Sequence, residues 1–362
     1  MKSPVFKSVV SLQSAFRLLS SFALLLTSTW AGAFPEMIGR GYDSCRACHY
    51  NTGGGGPTTA YGKGIAEEIS TWSREREGEA FYGLVDVSPL GLHGDMRYLA
   101  YRYEDDTVVV QSRFPMQREL SLSLDASKNI SLLMSCGHYG YGNQAEQLEC
   151  RSYAASLSAG PLRFRGGRFL PVFGINIPDH TKAIKELFGQ GKESLNAEFS
   201  VVSRFFEVIY TRAYGRSDTR IKGDNSPSVL TRSDGDGFTL KTSLFLARGL
   251  QVGYSFAEIT EDGGSTIDRI SGYHAFFGTP KLAVMAEYQQ HPLNEVRGYG
   301  MIGLQPLRGL WFKGEIDYRR ALPDAPTDPE IFGTVQWMPR PHLEFLVSGS
   351  EKRVIFISHY YL

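Results

Sequence analysis

Leu250-Gln251-Val252-Gly253-Tyr254-Ser255-Phe256-Ala257 decides the fold. Successive side chains of an extended chain alternate, so Leu250, Val252, Tyr254 and Phe256 share one face, with Gln251, Gly253, Ser255 and Ala257 opposite. The same period of two recurs downstream. Leu282, Val284, Ala286 and Tyr288 alternate with Ala283, Met285, Glu287 and Gln289. Phe312, Gly314, Ile316 and Tyr318 alternate with Lys313, Glu315, Asp317 and Arg319. A soluble sandwich turns such an apolar face inward onto a second sheet. A membrane barrel turns it to lipid and lines a wet lumen with the polar face.

The connections select the barrel. About 16 strands are expected, beginning near 92, 107, 129, 148, 162, 193, 205, 236, 250, 267, 281, 295, 309, 328, 342 and 353. Alternate connections are tight: Ser127-Lys128-Asn129, Gly160-Pro161-Leu162, Arg248-Gly249, Gly278-Thr279-Pro280-Lys281, Pro306-Leu307-Arg308-Gly309 and Pro339-Arg340-Pro341. Those between are often longer and more polar, notably 175–192, 216–235, 261–266 and 321–327. Short periplasmic turns alternating with longer external loops is the outer-membrane arrangement. The last stretch, Phe356-Ile357-Ser358-His359-Tyr360-Tyr361-Leu362, is an aromatic strand like the terminal strand of such barrels, with Leu362 where Phe is more usual. Past the first 33 residues no window of 18 apolar residues occurs, so no helical anchor is expected. The expected fold is all-β: a transmembrane antiparallel β-barrel over 86–362, preceded by a small, partly helical segment.

The charge balance, 38 basic against 38 acidic, argues against a nucleic-acid partner. Glycine (39 residues) and aromatics (12%) suit a β-rich chain with many turns. Residues 1–33 read as a signal peptide. Lys2, Lys7 and Arg17 supply its positive region, Leu18 to Trp30 a short apolar run, and Ala31-Gly32-Ala33 a small-residue cleavage site.

Residues 34–85 carry Cys45-Arg46-Ala47-Cys48-His49, the attachment signature for one covalent c-type haem. Cys45 and Cys48 are the candidate thioether residues, and His49 the proximal iron ligand. Asn51 to Pro57 is a glycine run, and a helix is expected from about Thr58 to Glu77 with Ile65, Ile69 and Trp72 on one face. So short a segment cannot bury a haem unaided and is expected to dock onto or into the rest of the protein.

The stretch Phe34-Pro35-Glu36-Met37-Ile38-Gly39-Arg40-Gly41-Tyr42-Asp43-Ser44-Cys45-Arg46-Ala47-Cys48-His49, with Gly53 to Gly56 and Tyr61-Gly62-Lys63, resembles the start of a little-characterised bacterial group. Its members fuse one CxxCH segment to an outer-membrane barrel, a porin-cytochrome-like family. Arg168 to His180 and Glu193-Ser194-Leu195-Asn196-Ala197-Glu198 are also similar to its barrel segments. The group has a His before the Gly-Tyr pair, where this chain has Arg40, and that departure leaves the second iron ligand open.

Candidates for that ligand are His93, which precedes Asp95 and Arg97 on an expected lumen face, then His359, His274 and Met37. Each histidine has an ordinary reading as a lumen or interface residue, and His180 belongs to an expected external loop. Cys136 and Cys150 fall on neighbouring strands about a connection near residue 143, within reach of a disulfide; two independent small apolar side chains is the other reading. Asp125, Arg163, Arg165, Glu315 and Asp317 read as ordinary lumen charges rather than catalytic carboxylates or an anion site. Two functions are left open. One is an outer-membrane cytochrome-porin passing electrons between periplasm and cell exterior, an electron carrier rather than an enzyme, with a partner cytochrome or redox mediator. The other is a solute-conducting porin whose haem segment is a plug, sensor or structural element.

Overall fold

The computed structural model describes residues 35–42, 44–74, 89–104, 109–139, 147–177, 182–185, 193–214, 236–260, 267–291, 295–320 and 329–361. The expected signal peptide, His180 and most of the longer expected loops lie outside the described residues. Sixteen strands follow in order: β1 (Leu90–Glu104), β2 (Val109–Ser127), β3 (Ile130–Tyr139), β4 (Gln147–Ala159) and β5 (Leu162–Phe169). Next come β6 (Ser194–Val202), β7 (Phe206–Tyr214), β8 (Gly237–Ala247), β9 (Leu250–Thr260), β10 (Ile267–Thr279) and β11 (Leu282–Gln290). The last five are β12 (Val296–Leu307), β13 (Leu310–Arg320), β14 (Glu330–Arg340), β15 (Leu343–Gly349) and β16 (Arg353–Tyr361). Each pairs with its sequence neighbours, and β1 closes the ring on β16 with Asp95 opposite Tyr361 and Arg97 opposite His359.

Closure removes every sheet edge, so the backbone is satisfied within the ring and the outer face is free to meet lipid. That face is apolar: Leu122, Leu132, Tyr210, Tyr273, Val284, Tyr288, Phe312 and Ile316 are exposed. The alternate positions, Gln251, Ser255, Glu287, Gln289, Glu315 and Asp317, are buried inside the ring, as the alternation requires. No helix of the described residues is long and apolar enough to cross a membrane.

Two segments enter the lumen: the N-terminal one, expected from its size to dock onto or into the rest of the protein, and a loop from the wall that sequence placed among the external connections. The first is residues 35–74, at the tight-turn end. Its helix α1 (Ala60–Ile69) is shorter than the expected Thr58–Glu77 span. It stops because Ser70 takes an extended backbone and the barrel captures the next amides: Thr71 N donates to Met338 O at 2.9 Å and Trp72 N to Pro339 O at 2.8 Å. Trp72 therefore leaves the Ile65–Ile69 face. It is 58% exposed and lies edge-on to Trp337, ring centroids 5.6 Å apart.

The second segment runs from β5 toward β6. Gly174 N donates to Ser255 Oγ on β9, Ile175 N to Glu287 Oε2 on β11, and Ala183 N to Asp317 on β13. The loop thus reaches strands well round the barrel from its origin. Lys182, fully buried, pairs with Glu315 at 3.0 Å and lies 3.3 Å over the Phe332 ring. Between the two segments forms an apolar core. Met37, Tyr42, Cys48, Ile65 and Ile69 meet Ile175, Ile177 and Ile184 against Phe276, Met285, Met301, Trp311 and Met338 of the wall. Each aliphatic side chain fully buried there contributes about 1.5–3 kcal/mol before ordering costs.

Candidate functional site: the segment inside the barrel

The CxxCH motif forms a short 3-10 turn, Cys45–Ala47. Cys48 N and His49 N both donate to Cys45 O, at 3.3 and 3.1 Å, which curls the two cysteines and the histidine around one carbonyl. Helix α1 holds this turn from behind. Thr59 caps it by accepting from Gly62 N at 3.2 Å, while its hydroxyl donates to Ala47 O at 2.8 Å and its amide to Cys48 O at 2.8 Å. Glycine is required at position 62: a Cβ there would lie 2.3 Å from Cys48 O.

His49 Nδ1 lies 3.1 Å from Gly56 O. A carbonyl only accepts, so Nδ1 carries the proton and Nε2 keeps its lone pair, the tautomer that a metal-ligating imidazole needs. Gly54, Gly55 and Gly56 deliver that carbonyl through three successive left-handed backbones, φ 83°, 76° and 64°, which side-chain-bearing residues avoid. Cys45 and Cys48 are free thiols, and burial pushes the Cys45 thiol up to about 11, Lys241 opposing and Glu207 adding to the shift. The donor set of two thiols and one correctly polarised imidazole fits a covalently held haem. The cavity between Gly53, Val172, Phe173 and Ile175, about 50 Å³, has room for a few waters and not for a porphyrin. Around Gly55, Gly56, Ala60, Tyr61 and Gly64 the segment is exposed, and a Cβ at Gly56 or Gly64 would touch nothing within 4 Å.

Of the candidate second ligands, Met37 is buried in the same core as Cys48. His93 stands edge-on to Tyr50, beside His49, with ring centroids 6.0 Å apart. Its Nε2 is 2.9 Å from Ser123 Oγ, and its buried Nδ1 has no hydrogen-bond partner. His274 lies against Ser243 Oγ at 3.4 Å, and no contact of its ring with the motif is seen among the described residues. His359 is engaged elsewhere, Nδ1 2.9 Å from Glu344 and Nε2 3.3 Å from Asp95, which Arg97 also binds. Cys136 and Cys150 are joined as a disulfide between directly opposed positions of β3 and β4.

The lumen charges that sequence reading set aside turn out to be the anchors of the two inserted segments. Arg163 donates to Tyr50 O at 2.8 Å and Arg165 to Asn51 Oδ1 at 3.1 Å. Glu198 accepts from Thr52 Oγ1 at 2.5 Å and pairs with Arg165 at 3.0 Å. Tyr50 donates to Asp125 at 2.9 Å, Ser44 to Glu207 at 2.7 Å, and Glu36 pairs with Lys313. The inserted segments also touch each other, Asn176 Nδ2 donating to Gly54 O at 2.9 Å. Sequence anticipated the docking from the segment's size but not its partners; Arg163 and Arg165, two apart on one strand, share a face, and the register sets Glu198 opposite Arg165.

No protein-family model matches this chain, and no curated protein does. Solved structures do. The OmpF of Salmonella typhi, solved in complex with daunomycin, superposes with a TM-score of 0.55 at 9% identity, over 75% of this chain and 97% of that one. The OmpT of Vibrio cholerae lacking its loop L8 gives 0.53 at 8%, over 75% and 99%. The outer-membrane channel DcaP of Acinetobacter baumannii gives 0.52 at 12%, over 75% and 97%. The barrel therefore has the fold of outer-membrane porins.

Proposed function

We propose that the protein is a porin-type barrel of the bacterial outer membrane whose CxxCH segment is a plug seated in the periplasmic mouth, where it governs solute passage. The observation that carries this reading is the seat itself. Residues 36–72 are hydrogen-bonded to wall strands and turns around the ring and share one apolar core with the loop that enters from the other end. Charged wall residues that would line a conducting pore are spent on holding the segment. Reconstituted wild type should pass small sugars poorly in liposome-swelling assays, and removal of residues 34–74 should raise permeability severalfold. Equal permeability of both would overturn the proposal.

A second reading, one-electron transfer between periplasm and cell exterior, is favoured by the His49–Gly56 geometry. Cys45 and Cys48 would hold haem c and His49 would ligate its iron; bound there, the group would supply a one-electron couple. Because both thiols are half-buried or buried in the folded segment, attachment belongs to the exported chain before the plug seats. One porphyrin is small against an apolar band about 25 Å tall, so a partner cytochrome or redox mediator is required. The haem mass should be present in wild type and lost in Cys45→Ala/Cys48→Ala. Its absence from wild type made in a haem-maturing host would remove this reading and leave the plug reading standing.

A further inference from the structure

The tight turns carry charge of one sign. Lys128, Arg204, Arg248, Lys281 and Arg308 occupy five of the seven turns, and Arg340 ends the strand leading into a sixth. The Gly160-Pro161 turn has a cation neither within it nor at the strand end leading into it, and there Arg46 of the plug donates to Pro161 O at 3.1 Å. None of the turn segments 127–129, 160–161, 203–205, 248–249, 280–281, 308–309 and 341–342 contains Asp or Glu. The first five cations are exposed and Arg340 is half-buried. At the opposite rim, by contrast, charges of both signs pair within the barrel: Arg102 with Glu104, Arg212 with Asp236, Arg269 with Glu258 and Arg353 with Glu330.

The cations stand at the level where the lipid-facing band ends. Ile130, Phe205, Leu246 and Leu307 are exposed apolar residues within two positions of Lys128, Arg204, Arg248 and Arg308, and the Arg204 guanidinium lies 4.5 Å over the Phe205 ring. The Trp72–Trp337 pair, Trp72 exposed and Trp337 half-buried, sits at the same rim, where aromatic girdles mark the membrane–water boundary. Groups just beyond that boundary meet lipid phosphates, and each Lys or Arg near an anionic surface strengthens association roughly fivefold. Arg248 and Arg308 also donate to the plug, at Arg40 O and Thr71 O, but those neutral acceptors leave their charge in place.

We propose that this ring binds the phosphodiester headgroups of anionic lipid in the leaflet facing the periplasm. The inference rests on the outer-membrane reading but not on the plug or on haem. The test is the immobilised fraction of spin-labelled phosphatidylglycerol against spin-labelled phosphatidylcholine, with the full chain reconstituted in phosphatidylcholine bilayers. Wild type should select phosphatidylglycerol severalfold, less so in high salt. Lys128→Gln/Arg204→Gln/Lys281→Gln, which spares the plug contacts, should lose most of that selection. The charge-keeping Lys128→Arg/Arg204→Lys/Lys281→Arg should retain it, as should Cys45→Ala/Cys48→Ala. A wild type without selection, or a Gln variant that selects equally, overturns the proposal. Binding of soluble polyglutamate without lipid selection overturns it in favour of an acidic protein partner. Failure to immobilise either lipid would instead refute the membrane reading beneath it.

Discussion

Glu198→Ala should unseat the plug while leaving the barrel closed. The carboxylate accepts from Thr52 at 2.5 Å and pairs with Arg165 at 3.0 Å, the two charged side chains being 1% and 3% exposed. Removing it strands the Arg165 guanidinium in the wall two residues from Arg163, whose charge already opposes it, and deletes one anchor of the Tyr50–Thr52 stretch. Breaking one partner of a buried pair costs about 3–5 kcal/mol. The barrel strands are held by continuous ladders on both sides, whereas the segment is held by separate side-chain bonds, so the cost is relieved by moving the segment. At about 1.4 kcal/mol per factor of ten, the seated-to-unseated ratio falls by roughly two to three and a half orders of magnitude. Trypsin cleavage after Arg46 in the folded protein and planar-bilayer conductance both read this, and both should rise. Arg165→Met/Glu198→Leu, which removes both charges and fills the space, should return toward wild type. If Glu198→Ala leaves protection and conductance unchanged, the buried pair does not hold the plug and the reasoning fails.

Val252→Arg, on the lipid face, should impair insertion by up to about 2–4 kcal/mol, while Gln251→Arg on the lumen face is milder; equal folding yields into vesicles would contradict the assigned faces. Gly62→Val drives a Cβ toward Cys48 O, 2.3 Å away, and should cost about 1–3 kcal/mol locally, seen as faster hydrogen exchange at the Thr59 amide. Cys136→Ala/Cys150→Ala opens a cross-link 14 residues apart in sequence and should lower the urea midpoint by an amount worth up to about 3 kcal/mol, with outer-face packing intact.

The barrel was legible because an apolar outer face and a lumen-facing inner face impose a strict period of two, and alternate turns are too short to hide. Every strand begins within two residues of the position expected from sequence, from Leu90 against 92 to Arg353 against 353. The lumen was less legible for the same reason. Phe276, Met285, Met301 and Trp311 occupy inward positions that alternation alone assigns to water, yet they pack on the plug. Met285, standing beside Glu287 and Gln289 on the expected polar face, was the visible break in the pattern.

The seat was hidden by a deeper ambiguity. An arginine or glutamate on a lumen face has one sequence signature whether it faces water, an ion or another part of the chain. Arg163 and Tyr50 are 113 residues apart, and Asn176 and Gly54 122 apart, so no local periodicity couples them. Helix α1 shows the same limit from the other side. Its Ile65 and Ile69 follow helical spacing and are buried, but the spacing continues to Trp72, where the carbonyls of Met338 and Pro339 near the end of β14 outcompete the next helical turn. The CxxCH motif stands out in the sequence because it is confined to five consecutive residues. What holds it in place is spread over β2, β5, β6, β7 and β13, and becomes visible only once the ring has closed around it.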